Sequence, residues 1–318
     1  MSRPNVSVCV VTYNQAHFIR DCLTSVLAQH ADLDIEILVG DDASTDTTGE
    51  AVEQLAAAYP GLIQYHRHET NLGPARNYQF LIERARGEFI AHLDGDDYWM
   101  PGKLARQVDF LRGHRACSAV YSNAVVVSED RRLLGVFNNE LPETFDLDFL
   151  LAKGNFLNHS SLVYRAEFKD AVLGIPGAFI DYRIHLRLAR RGKLGYLNQA
   201  LVCYRVAGAN SMVNSVPDLV RQWYWQALLD AEVRTASAYA LRGAMSHFFG
   251  GIATAAIVHG QLAQAARWMR RIVREAPLSP VPVLCLGAFI GVMRLFATLA
   301  RRASGKIRGN DLLIYYRR

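Results

Sequence analysis

The chain lacks the marks of several large protein classes. Its five cysteines (Cys9, Cys22, Cys117, Cys203, Cys285) are odd in number and scattered, with no C-x-x-C pair. That excludes a disulfide framework and a cysteine zinc site, and it predicts buried apolar thiols in a reducing compartment. No collagenous, disordered or low-complexity stretch is present. No apolar run reaches the roughly 20 residues that span a bilayer. Within Pro280 to Ala300, only the 13 residues Val281 to Met293 precede Arg294. Met1 to Asn5 run straight into a strand pattern, which leaves no room for a secretory signal, so the sequons at Asn5 and Asn158 carry no weight. No nucleic-acid-binding motif accompanies the basic residues.

What is present is a 318-residue chain, 51% hydrophobic, long enough to bury a full α/β core and a second, smaller region. Its formal charge of +5 is uneven. Gln261 to Arg318 hold eleven Lys/Arg against Glu275 and Asp311, a net +9, which leaves −4 for the rest. A basic tail on a mildly acidic body points to an anionic surface as partner.

The densest chemistry is Asp94-Gly95-Asp96-Asp97, directly after the apolar run Phe89 to Leu93. Such a run reads as a buried strand, and in open α/β sheets ligands sit beyond the carboxyl ends of strands. Three carboxylates in four residues repel one another unless something positive sits between them. Mg²⁺ or Mn²⁺ fits, since hard cations take oxygen ligands and share carboxylates with substrate phosphates. An EF-hand does not fit, because its glycine and closing glutamate spacing is absent. A solvated acidic turn is the competing reading.

Upstream, Val6 to Val11 and Ile35 to Val39 are continuous apolar runs, as strands buried on both faces look. Ala16 to Gln29 carries apolar residues at helical spacing. A second helix runs from the Ser44-Thr45-Asp46 caps to Tyr59, and a third from Pro74 to Arg86. Ile63 to His66 is a weaker strand. Strands alternating with helices imply a doubly wound, mostly parallel sheet. Asp41-Asp42 then opens on the same edge as Asp94 to Asp97, so the two clusters build one site. Asp42 is placed to accept a hydrogen bond from a nucleobase NH, although a simple helix cap competes for this cluster.

Four segments occur in order over roughly the first 110 residues: VSVCVVTYNQAHFIRDCLTSVLAQ, EILVGDDASTDTT, NLGPARN and GEFIAHLDGDDYWMPGKLARQ. Together they resemble the nucleotide-sugar half of a family-2 glycosyltransferase of the GT-A fold. The resemblance implies that Val11, Thr12 and Tyr13 line the nucleotide pocket with Asp41 and Asp42, and that Asp42 contacts the base, usually uracil. It implies that Asn71, Gly73 and Arg76 close over the diphosphate and sugar. Asp94-x-Asp96 becomes the metal motif, with Asp96 a direct ligand of Mn²⁺ or Mg²⁺ and Asp94 a ligand that also faces ribose or sugar. Asp97 supports them.

The second half continues the likeness less tightly. Lys103 to Gly113 reads as a helix, Ser118 to Val127 as a strand entering a hairpin, and Asp146 to Ala152 as a short helix. Asn158 to Arg165 resembles the family's strand beside the acceptor. Asp181 opens a helix where the family carries Glu-Asp with the Asp as general base; Ile180 replaces the Glu. A helix-capping role for Asp181 is compatible with this. His185, on the same face, either tunes Asp181 or faces solvent. Leu194 to Leu197 and Leu201 to Arg205 read as two closing strands. The family's Tyr-Arg-x-His appears as Tyr204-Arg205-Val206-Ala207, without the histidine, and Arg205 remains a candidate phosphate contact.

The fold expected is therefore an α/β GT-A domain over 1–215, with a nucleotide-sugar half (1–115) and an acceptor half (116–215), followed by a helical region over 216–318. There Asp218 to Tyr239, Leu241 to His259 and Gln261 to Glu275 read as helices. The apolar Pro280 to Ala300 reads as a helix that binds an anionic membrane, packs on the catalytic domain or makes a homodimer. The expected activity is metal-assisted, inverting transfer of a sugar from a nucleoside-diphosphate donor, UDP-linked by preference, to a glycan or lipid-linked hydroxyl. It would take place at the inner face of the cytoplasmic membrane, in surface-polysaccharide assembly, with no nucleic-acid partner. A non-catalytic nucleotide-sugar-binding subunit is the rival. A nucleotidyltransferase is disfavoured, because Thr12-Tyr13-Asn14-Gln15 is not the glycine-rich, cationic loop it would need.

Overall fold

The structure, a computed structural model, describes residues 4–31, 33–206 and 217–303. They fall into two compact units, 4–146 with 156–220, and 147–155 with 221–303. The second unit thus takes in a short segment that lies inside the first 215 residues.

The first unit alternates as its sequence pattern predicts. β1 (Val6–Thr12), α1 (Ile19–Leu27), β2 (Ile35–Asp41), α2 (Thr48–Ala58), β3 (Ile63–Arg67), α3 (Pro74–Arg84) and β4 (Phe89–Asp94) follow one another. Every residue of β1 and β2 is buried, which is why both read as unbroken apolar runs. Glu36 is tolerated inside β2 because Ser7 Oγ (2.6 Å) and the Arg86 guanidinium (2.7 Å) bond its carboxylate. β5 (Tyr98–Trp99), α4 (Lys103–Gly113), β6 (Cys117–Ser128), β7 (Leu133–Val136), β8 (Thr144–Phe145), β9 (Val163–Arg165), α6 (Asp170–Leu173), α7 (Asp181–Arg191) and β10 (Lys193–Val206) complete it, with α5 (Leu147–Lys153) assigned to the other unit.

The sheet runs in the order β3-β2-β1-β4-β9-β6-β10-β5. β3, β2, β1 and β4 are mutually parallel, as are β6 and β10, whereas β9 is antiparallel to both its neighbours. Three expectations need correcting. The segment expected as a strand from Asn158 begins with a tight turn at His159–Ser161, and only Val163–Arg165 pairs. The two expected closing strands are one, β10, with register shifts between Leu197 and Val202 that absorb its polar middle. Of the five cysteines, Cys285 is exposed and the other four are buried.

In the second unit the helix expected from Asp218 to Tyr239 breaks into α8 (Pro217–Leu229) and a turn at Val233–Thr235. Asp230 causes the break: its carboxylate accepts from Glu232 N–H (3.0 Å) and its carbonyl from Val233 N–H (3.0 Å). α9 (Ala238–His259), α10 (Leu262–Glu275) and α11 (Pro280–Ala303) follow. Trp225 is fully buried, stacks on Phe248 and donates its indole N–H to Glu275 (2.9 Å). α9 and α11 cross closely. A Cβ on Gly287 would lie 2.9 Å from Ser246 O, and one on Gly250 2.9 Å from Gly287 O. Glycine at these positions is what allows the contact.

Candidate active site

The register of the parallel strands sets the site. Thr12 lies opposite Asp41, and Val11 opposite Asp94, so β1, β2 and β4 deliver their loops to one edge. The loops after β1 and β2 are laced together. Asn14 N–H donates to Ser44 Oγ (3.0 Å), Thr45 N–H to Asn14 Oδ1 (2.8 Å) and Gln15 N–H to Thr48 Oγ1 (2.8 Å). Asn14 (φ 52°) and Ala43 (φ 63°) hold left-handed backbone there. For an alanine that conformation costs about 1 kcal/mol, so the surrounding hydrogen bonds must enforce it.

The two aspartates after β2 have different partners. Asp41 is fully buried, and its oxygens accept from Ser44 N–H (2.8 Å) and Tyr65 Oη (2.7 Å). Asp42 accepts from Leu72 N–H (2.6 Å) and Gly73 N–H (2.9 Å), so its carboxylate clamps the loop ahead of α3. Asn71 adds a bond to Asp42 O (3.2 Å). Gly73 sits at φ 86°, a left-handed turn that places Pro74 as the first residue of α3. Asp42, Asn71, Gly73 and Thr12 are thereby brought together, since Asp42 N–H also donates to Thr12 O (3.0 Å). Tyr13, 46% exposed, and Arg76, also exposed, lie on the rim.

The acidic turn after β4 packs under this edge. Gly95 N–H donates to Val11 O (2.9 Å), and a Cβ at Gly95 would lie 2.9 Å from Thr12 Oγ1. Asp94 accepts from Ser160 Oγ (3.2 Å) and is bonded to His92 Nε2 (3.1 Å). Burial works against its charge, but His92 and Ser160 outweigh that and hold its carboxyl below the ordinary value. Asp96 goes the other way: burial, then the charge of Asp94, push it up to about 7. Asp97 is buried, and desolvation followed by the charges of Asp96 and Asp94 raises it well above the usual range. One Asp97 oxygen accepts from Arg205 N–H (2.8 Å), and the other is buried with no partner.

Arg205, expected at the phosphates, is buried. Its guanidinium donates to Asp96 O (2.7 Å), pairs with Asp21 (3.4 Å) and lies over the Phe18 ring. It braces the acidic turn through that turn's backbone. Ala207 to Ser211, where the family's histidine and serine would be sought, lie outside the described residues.

Asp181 begins α7, and its carboxylate adds to the burial that raises the Tyr121 hydroxyl. Behind it runs a file of imidazoles. His185 is fully buried, not solvent-facing; it shares a 3.1 Å hydrogen bond with His159, and the His159 ring lies 4.0 Å from that of His92. Burial, then the charges of His92 and His185, hold His159 well below the ordinary histidine value, so it is neutral. The Asp94 carboxylate and the start of α7 are therefore joined by three side chains from three distant parts of the sequence. His92 escaped the sequence reading, and Ser160 entered it only as part of the polar start of the segment Asn158 to Arg165. His92 carried a usable signal, since two residues before Asp94 on a strand is the same face.

A divalent cation suits this turn. Its oxygens are hard donors, and the raised Asp96 and the orphaned Asp97 oxygen mark a surplus of negative charge. Among the described residues no three His, Cys, Asp or Glu side chains gather as a closed metal site.

The profile of Glycosyl transferase family 2 matches residues 7–171. The chain belongs to glycosyl transferase family 2. An uncharacterized protein of Mycobacterium tuberculosis is 33% identical over 208 residues, 63% of this chain and 58% of that one. The chain thus spans less than two thirds of that relative's length. Putative glycosyltransferase EpsE of Bacillus subtilis is 31% identical over 206 residues, 63% of this chain and 72% of EpsE. WfaP of Escherichia coli, a UDP-Glc:alpha-D-GlcNAc-diphosphoundecaprenol beta-1,3-glucosyltransferase, is 28% identical over 68% of this chain and 83% of its own. Among solved structures, Staphylococcus aureus TarS 1-349 in complex with UDP-GlcNAc superposes with TM-score 0.65 at 17% identity, over 97% of this chain and 94% of that one. Mannosyltransferase PcManGT from Pyrobaculum calidifontis, in complex with GDP-Man and Mn²⁺, gives 0.55 at 21%, over 96% and 89%. The family-2 chain therefore has the GT-A architecture its motifs implied.

Proposed function

We propose that this family-2 chain is an inverting glycosyltransferase that moves a sugar from a UDP-sugar to a hydroxyl of a glycan or lipid-linked acceptor in surface-polysaccharide assembly. The observation that carries the reading is the acidic turn: three carboxylates at the carboxyl edge of a parallel sheet, with Asp96 raised and one Asp97 oxygen unsatisfied. The donors named for WfaP and for the TarS complex support a uridine nucleotide.

Asp96, with Asp94, would hold Mn²⁺ or Mg²⁺, which supplies positive charge for the departing diphosphate. His92 and Ser160 orient Asp94, while Arg205 fixes the backbone that carries Asp96. Val11, Thr12, Tyr13 and the loop clamped by Asp42 shape the nucleotide pocket; Asp41 shapes the loop beneath it. Asp181 takes the proton of the acceptor hydroxyl as its oxygen bonds to the anomeric carbon. The bond from that carbon to the diphosphate oxygen breaks with inversion, and nucleoside diphosphate leaves. The basic C-terminal region brings the enzyme to an anionic membrane surface, where a lipid-linked acceptor resides.

The test is a donor screen with Mn²⁺ or Mg²⁺ that follows release of nucleoside diphosphate in the presence of candidate acceptors. Metal-dependent release from one donor, abolished in Asp96→Ala and nearly lost in Asp181→Asn, is expected. Donor binding without turnover, unchanged in Asp181→Asn, would replace the enzyme with a binding subunit.

A further inference from the structure

α11 has two unlike faces. One, built on Gly287 and Gly291, lies against α9, where Thr254 Oγ1 reaches Gly291 O (3.2 Å). The other carries Val281, Leu286, Phe289, Val292, Met293 and Phe296, each between 42% and 65% exposed. At 100° per residue these six fall within one arc of about 140°. With 1.5 Å of rise per residue, the stripe runs about 22 Å along the helix. A contiguous apolar stripe of this kind marks a docking surface, unlike single exposed apolar residues.

Its charge selects the occupant. From Ala238 to Ala303 the sequence has one acid, Glu275, and that carboxylate is engaged by Arg271 (2.8 Å), Arg274 (2.9 Å) and Trp225. α10 presents Arg267, Arg270 and Arg274 to solvent together with exposed Met269 and Val273, and α11 contains no acid at all. A second copy docked here would bring the same arginines and, from Ala238 to Ala303, only the already engaged Glu275 to pair with them. An anionic lipid surface complements both the stripe and the arginines. Among the described residues no helix is long and apolar enough to cross a membrane.

We infer that α11 seats its Val281–Phe296 stripe in the interface of an anionic bilayer, with the α10 arginines on the headgroups. This rests on the proposed role at a membrane-borne acceptor and names the surface that would serve it.

Flotation of the full chain with phosphatidylcholine vesicles, with and without phosphatidylglycerol, tests this. Wild type is expected to float with the anionic vesicles and to bind the neutral ones at least about tenfold more weakly. Phe289→Asp with Phe296→Asp should remove flotation. Arg267→Gln with Arg270→Gln, which disturbs no packed side chain, should weaken it roughly tenfold or more at about 1 kcal/mol per cation. Donor turnover with a soluble acceptor, measured on the same preparations, should be equal in all, so that a failure of the enzyme reading shows there and not in flotation. Wild-type chain that stays with the soluble fraction, or flotation that survives both double variants, would overturn the inference. So would a concentration-dependent dimer that Phe289→Asp with Phe296→Asp dissolves, since the stripe would then belong to a second copy.

Discussion

Two acidic clusters stand at neighbouring strand ends of one sheet, and their partners give them opposite roles. Asp41 and Asp42 spend four carboxylate oxygens on three backbone N–H groups and a tyrosine hydroxyl. Asp94 to Asp97 keep one buried oxygen with no partner and one carboxyl pushed up to about 7. The first cluster is satisfied by the protein and shapes loops; the second is left short of positive charge. Residue type and topological position are the same, so hydrogen-bond supply decides which carboxylates are free for a ligand.

Breaking the second cluster should cost catalysis with little loss of fold. Asp96→Ala is expected to lower metal-dependent kcat by at least about 10²-fold, the scale for removing electrostatic stabilisation of a leaving group, with the melting temperature of the metal-free protein unchanged or raised. Breaking the first should do the reverse. Asp41→Ala strands Ser44 N–H and the Tyr65 hydroxyl in a buried place and should cost roughly 2–3 kcal/mol in urea unfolding, with kcat of the folded fraction nearly intact.

The contrast sharpens with pH. Asp96 is ionised above about 3.8 in the unfolded chain but only above about 7 in the folded one. Between those values the native state holds the extra proton, so this group's contribution makes the metal-free protein less stable as pH rises through the window. Mn²⁺ competes with that proton. Its stabilisation of the melt should grow over the same window and level off above about pH 7. A Mn²⁺ shift that is flat from pH 5 to 8 would mean that Asp96 is not the ligand. The smallest effect expected is for Ser160→Ala, which removes one donor to Asp94: about 1 kcal/mol in kcat/KM, with Asp181-dependent steps untouched.

Much of the first 115 residues was legible because β1 and β2 are buried on both faces and the helices between the strands are amphipathic. The caps expected at Ser44 to Asp46 were not: α2 begins after Thr47, whose side chain makes no cap bond. Asp41-Asp42 and Asp94 to Asp97 could be placed on one edge from the alternation of strands and helices, whereas the loop Asn71 to Gly73 came only with the family resemblance. The companions of those residues could not. Ser160 and His159 reach the acidic turn only because β9 inserts antiparallel between β4 and β6, and nothing local in Asn158 to Arg165 announces that insertion. Arg205 looked like a phosphate contact because Tyr204-Arg205 resembles the start of the family's Tyr-Arg-x-His. That the strand end lies beneath the acidic turn is a fact of sheet order. The polar Asn198-Gln199 made β10 look like two strands, where a bulge lets one strand pass. In the helical unit, Asp230 broke a helix that composition alone would have continued.

The turn at His159–Ser161 reaches further than its three residues. Trp99 donates its indole N–H to Ser160 O (2.8 Å), Gln107 its amide to Ser161 O (2.8 Å), Ser122 its N–H to Ser161 Oγ (3.2 Å) and His92 its N–H to Leu162 O (3.1 Å). A segment from beyond residue 115 is thus woven through the first 115 residues. A chimera that grafted the first 115 residues onto the remainder of another family-2 chain would inherit the acidic turn without the threads that hold it. New specificity in this scaffold would have to be sought side chain by side chain along the pocket, with the weave kept whole.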